Sequence, residues 1–151
     1  MPTNPMLNTV QRELVMNQRV ARLATSSGIG EPHLIPITFV LNANRILIVI
    51  DDKPKSGDPL RRIRNITQNS SVAVLFDHYE DDWNQLWWLL IRGKGEIFEF
   101  ANFSKEEQSN IPMMFKKKYY QYSNLAFHEK MFISITIKTV SSWRFDGITV
   151  D

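Results

Sequence analysis

Cysteine is absent from the chain. Disulfides, thiolate metal sites and cysteine nucleophiles are therefore excluded. The three histidines, His33, His78 and His128, are scattered and have no thiols to join them, so a zinc site is not expected. No apolar run approaches the roughly 18 residues that a membrane-crossing helix needs. The opening Met1-Pro2-Thr3-Asn4-Pro5 has neither the basic start nor the apolar stretch of a secretory signal. A cytoplasmic location and no membrane partner are expected. Charge of one sign is also scarce: the net value is +2, too small a field to demand nucleic acid.

What is present fits one domain spanning residues 1–151, with 43% hydrophobic and 23% charged residues to build a core and cover it. Charge is local rather than global. Lys53, Lys55, Arg61, Arg62 and Arg64 face a single acid, Asp58, over the same stretch, while Asp77 to Asp82 is acidic. A basic cluster in a near-neutral chain points to a small anionic ligand rather than a polyanion.

Hydrophobic spacing predicts the elements. Asn4 to Gln18 carries a helical stripe of Met6, Leu7, Val10, Leu14 and Val15. Val20 to Thr25 alternates as a strand, and Pro32 to Leu41 is read as a second. Arg45 to Asp51 is a β-branched run consistent with burial on both faces. The turn Asn42-Ala43-Asn44 joins those two strands as a hairpin. Asp58-Pro59 reads as a cap and first helical position, and Leu60, Ile63 and Ile66 give the following helix one apolar face. Ser71 to Phe76 and Leu86 to Phe100 are further strands, with Gly93 and Gly95 as bulge points. Ser104 and Glu107 form a capping box for a helix towards Tyr120, with a break expected near Pro112. Met131 to Trp143 is the last strand. Six strands with short connections favour antiparallel pairing, and closure into a barrel would remove the sheet edges.

Three stretches carry candidate chemistry. Asp51 to Asn65 leaves a strand, crosses a loop and enters a helix whose start offers unpaired N–H groups and a positive dipole end to phosphate. Lys53, Lys55, Ser56, Arg61 and Arg62 add donors and charge. A solvated basic face explains the same residues equally well. In Pro32-His33-Leu34-Ile35-Pro36-Ile37-Thr38-Phe39, Pro36 marks an edge or an irregularity where backbone can turn towards a ligand, or simply a protected edge. In Trp83 to Gly95, Trp87 and Trp88 point to opposite faces, one to the core and one to a ligand or a subunit interface. Lys116-Lys117-Lys118 beside Tyr119 and Tyr120 reads as a solvated helix face.

In order and spacing these stretches together resemble the pyridoxamine 5′-phosphate oxidase-like superfamily, the flavin-binding split barrels. The matching text includes Val20 to Thr25, Gly30 to Phe39, Asp51 to Ser56, Leu60 to Ile66, Asp77 to Trp83 and Leu86-Trp87-Trp88. Within that superfamily it is most similar to a branch of proteins dependent on deazaflavin coenzyme F-420. The resemblance implies an α+β, mainly β fold: a six-stranded antiparallel split β-barrel with flanking helices, homodimeric, holding FMN or coenzyme F-420 in interface grooves.

By that resemblance the backbone of Pro36, Ile37, Thr38 and Phe39 lies along the ring, with Ile50 and Asp51 beside it. Arg61 and Arg62 hold phosphate, Lys53, Lys55 and Ser56 hold a longer phosphorylated tail, and Trp88 touches the cofactor. The implied activity is hydride transfer between the cofactor and a small-molecule redox substrate, with no nucleic acid involved. The fifth strand departs from the oxidase proper, which carries Gln-Val-Arg-Ile-Glu-Gly where this chain has Trp88 to Gly93, with Leu90 at the arginine position. Pyridoxamine phosphate is accordingly not the expected substrate. A non-catalytic store or sensor of flavin or a haem-like ligand is the rival reading, and a barrel for single-stranded nucleic acid is a weaker one.

Overall fold

The computed structural model describes residues 7–51 and 60–144. The N-terminal helix α1 is Thr9–Met16. Asn8 and Gln11 cap it reciprocally, side chain to backbone, as a capping box. It is shorter than its apolar stripe predicts, and residues 4–6 of that stripe lie outside the described part.

Seven strands follow, not six: β1 Ala21–Ser26, β2 Pro32–Ile37, β3 Val40–Asn42, β4 Arg45–Ile50, β5 Ser71–His78, β6 Trp87–Glu99 and β7 Met131–Arg144. Helix α2, Arg61–Gln68, precedes β5, and α3, Lys105–Lys118, precedes β7. The strands form one antiparallel sheet in the order β2-β1-β5-β6-β7-β4-β3.

The extra strand comes from a break in the expected run Pro32 to Leu41. Its first half pairs with β1 and its second half with β4, at opposite edges of the sheet. Only Thr38 and Phe39 separate them, so the sheet must curl until its two edges meet at this corner. Backbone continuity, not a ladder of hydrogen bonds, joins the edges. The physical cause of the break is a pair of contacts from the end of α3 and the residue after it. The Phe39 N–H donates to the Tyr119 hydroxyl at 3.2 Å, and the Phe39 carbonyl accepts from Lys118 Nζ at 3.2 Å. Both groups are thereby taken out of strand pairing.

The expected hairpin survives as β3 and β4, with Ala43 in the left-handed region at φ 53°. Ile46 to Ile50 is buried throughout. Alternation divides that run between two cores. Ile46, Ile48 and Ile50 join Leu23, Phe39, Phe76 and Ile91 inside the curl. Leu47 and Val49 pack outward against Phe115, Phe127 and Phe132 beneath α3. Continuous burial is why this strand lacks polar alternation.

Ser104 and Glu107 cap α3 as expected, but the helix is not broken at Pro112 and runs on to Lys118. Ile111 and Phe115 anchor it on both sides of the proline, and that burial outweighs the missing backbone donor. On β6 the register against β7 shifts between Arg92 and Gly93. A Cβ on Gly93 would stand 2.4 Å from the Thr136 carbonyl oxygen, so close strand approach requires glycine here.

Candidate functional site

A groove of about 390 Å³ opens along the β2 edge. β2 and the residue after it contribute Ile35, Pro36, Ile37 and Thr38; β4 contributes Ile48, Val49 and the following Asp51; α2 contributes Arg62. Tyr122, from the connection between α3 and β7, completes the lining. β2 ends the sheet, so its outer backbone edge has no neighbouring strand.

Helix α2 brings the arginine to this groove because three contacts fix its pose. Ile66 is buried in the inner core, and Leu60 and Ile63 pack partly against it. Buried Asn65 donates through Nδ2 to Thr25 Oγ1 at 3.0 Å, tying the helix to β1. The helix begins at Arg61, after Leu60, which is extended at φ −56° and ψ 144°; the Asp58-Pro59 start expected from sequence lies outside the described residues. Leu60 makes no side-chain cap bond, and no acid stands in the first turn. A helix start favours an anion, and Arg61 and Arg62 stand on this first turn.

The structure brings together Pro36, Ile37, Thr38, Asp51 and Arg62 of the residues expected from sequence. It sets others apart. Phe39 is fully buried and edge-on to Phe76 at 5.2 Å, with its backbone engaged by Tyr119 and Lys118. Ile50 is buried in the inner core. Arg61 is exposed on α2 and does not line the groove. Trp88 is 39% exposed on the opposite face of β6 from Trp87, away from this chain's groove. Lys53, Lys55 and Ser56 lie outside the described residues.

One residue the sequence did not single out lines the groove. Tyr122 places its hydroxyl 2.7 Å from Thr38 Oγ1. Its ring is held edge-on by Phe115, Tyr119 and Phe127 at 5.8, 5.7 and 6.3 Å. Behind the corner, Tyr119 donates its hydroxyl to the Arg19 carbonyl at 2.7 Å, and burial raises its pKa. Lys118 Nζ lies 3.7 Å above the Phe39 ring, and burial followed by the Arg19 charge lowers its pKa to about 8. The expected solvated face Lys116 to Tyr120 is thus corrected: Lys116, Lys117 and Tyr120 are exposed, Lys118 is half-buried and Tyr119 is buried.

A curled antiparallel sheet with a groove at one edge and two arginines on the first turn of the adjoining helix is the frame of the site. The pyridoxamine 5′-phosphate oxidase family model matches residues 7–144, and the chain belongs to that family. No curated protein matches it in sequence. Among solved structures it is similar to the haem storage protein HutZ of Vibrio cholerae, at 16% identity and a TM-score of 0.64, over 93% of this chain and 95% of that one. It is also similar to a conserved hypothetical protein of Mycobacterium tuberculosis, at 17% identity and a TM-score of 0.70, over 95% and 88%. A FAD-binding protein of Mesorhizobium loti matches at 16% identity and a TM-score of 0.65, over 91% and 95%. These likenesses are of fold. No described helix is long and apolar enough to cross a membrane.

Proposed function

We propose that the chain binds a phosphorylated flavin-type ring, FMN or deazaflavin coenzyme F-420, and serves as an oxidoreductase acting on a small molecule. The observation that carries this reading is the convergence of the β2 edge and Arg62 on one groove. The groove fits such a group in two respects. Ile35, Ile37 and Ile48 line it beside an unpaired strand edge, which suits a ring with polar margins. Its end offers an arginine on the first turn of a helix, which suits phosphate.

The bound ring would supply the hydride chemistry. The chain's part is to hold, orient and exclude water. Arg62 grips the anionic tail. The outer backbone edge of β2 meets the ring margin. Thr38 and Tyr122 present two hydroxyls, already hydrogen-bonded, at the groove wall.

We further propose a homodimer with the groove at its seam. The outward face of β2, β1, β5 and β6 carries Leu34, 67% exposed, and Trp88, with Pro36, Leu75 and Leu90 on the same face beside the Arg22–Asp77 ion pair. Such a patch is the kind that a partner covers. Pro36 belongs both to this face and to the groove, so a second copy seated here would border the ligand and bring its own Trp88 towards the seam.

Non-catalytic haem binding is the second reading, favoured by the fold shared with the Vibrio haem storage protein. Of the described residues lining the groove, only Tyr122 is of a type that ligates haem iron. The absorption spectrum of purified protein, with mass analysis of what co-purifies, separates the readings. Yellow protein with flavin bands assigns FMN. Colourless protein that quenches added deazaflavin fluorescence assigns coenzyme F-420. An intense haem band with no flavin affinity overturns the oxidoreductase reading.

A further inference from the structure

A second cleft, also of about 390 Å³, lies on the far side of the β2–β3 corner from the groove. Met16 of α1, Val40 and Leu41 of β3, and Met114 of α3 give it an apolar lining. Lys117 and Lys118 stand at its margin. Its size falls within the range of small-molecule sites, at the lower end of about 300–1,000 Å³.

The charge balance of this cleft is one-sided. Lys118 is half-buried, and its amine meets the Phe39 carbonyl at 3.2 Å and the rings of Phe39 and Tyr119. Arg19 adds a second cation, donating to the Lys118 carbonyl at 2.7 Å and lying over the Tyr119 ring. No carboxylate is paired with Lys118 among the described residues. α1 and β3 present only Met16, Val40 and Leu41 to the cleft, so the titratable groups around the amine are Arg19, Lys117 and Tyr119. A partly desolvated ammonium without a counter-ion is costly, and an incoming anion would offset that cost.

We propose that this cleft binds a medium-chain monocarboxylate, its alkyl chain against Met16, Val40, Leu41 and Met114 and its carboxylate on the Lys118 ammonium. Both halves of the ligand are needed: the chain supplies burial of apolar surface, and the carboxylate supplies the missing counter-charge. The amine has donors left over after Phe39, so the carboxylate need not displace that contact. Because burial and Arg19 bring the Lys118 pKa down to about 8, binding is coupled to its proton.

The test is calorimetric titration with decanoate below its micelle concentration, with decanol and acetate as single-feature controls. Decanoate binds saturably at neutral pH, and decanol and acetate bind at least about tenfold more weakly. Decanoate affinity falls as the pH is raised above the Lys118 pKa. Lys118→Met loses about tenfold or more. Met114→Trp, which fills the cleft and leaves the amine in place, also loses binding. Lys118→Arg keeps binding and loses the pH dependence. Circular dichroism confirms that each variant is folded. Equal binding of decanol and decanoate, unchanged affinity in folded Lys118→Met, or no saturable decanoate binding overturns the proposal.

Discussion

The Thr38 and Tyr122 hydroxyls lie 2.7 Å apart, although 84 residues separate them in the chain. Thr38 sits at the corner where the sheet passes from one edge to the other. Tyr122 comes from the connection that follows α3. The bond therefore clamps that connection onto the corner, at the wall of the groove. Tyr122→Phe removes the phenol and keeps the ring that packs on Phe115 and Phe127. The expected loss of stability in urea unfolding is about 0.5–1.5 kcal/mol, the ordinary range for one hydrogen bond. Ring-ligand affinity should fall as well, because the groove wall is loosened.

Arg62 is the one described cation lining the groove. Arg62→Ala should weaken FMN or coenzyme F-420 binding by about 1.5–3 kcal/mol, the value of a charge-assisted contact. Fluorescence titration reads this directly. Arg64→Ala, on the same helix but not lining the groove, should leave affinity near that of the wild type.

Lys118 gives a pH-dependent stability. The unfolded chain keeps this proton up to about 10.5, whereas the folded chain releases it near 8. Between those values the unfolded state binds more protons, so the contribution of this group to stability rises with pH. Urea unfolding of wild type and Lys118→Met, compared across that window, should show the wild type gaining on the variant as pH increases. A constant difference would mean that the folded and unfolded chains hold this proton alike.

Gly93 is where β6 and β7 come closest. Gly93→Ala forces a Cβ to within 2.4 Å of the Thr136 carbonyl oxygen, and backbone cannot yield as a flexible side chain can. A destabilisation of about 1–3 kcal/mol is expected, typical of overpacking. Gly30→Asn, at φ 88° with open space around it, should cost far less.

The dimer proposal predicts that Trp88→Glu, on the exposed sheet face, yields a monomer by analytical ultracentrifugation while the wild type sediments as a dimer. A monomeric wild type would remove the partner from the account.

Much of the fold was legible because local signals agree with it. The β-branched run at Ile46 to Ile50, the capping box at Ser104, and the apolar face of Leu60, Ile63 and Ile66 each name their element. The break at Thr38 and Phe39 was not legible, since both residues favour strands. What ends the strand is Tyr119, 80 residues away. Lys118 and Tyr119 were misread for a related reason. Within a run of three lysines and two tyrosines, only the packing of α3 decides which of them turn inward. The groove itself was partly legible through Pro36 and Arg62. Tyr122 was not, because a lone tyrosine in a polar connection carries no pattern until the chain is folded.

The most direct measurement is a crystal structure of the protein with FMN or coenzyme F-420 bound. The account predicts the ring along Pro36 to Thr38 and a phosphate group within hydrogen-bond distance of Arg62. A ring bound elsewhere, or a phosphate turned away from α2, would contradict it.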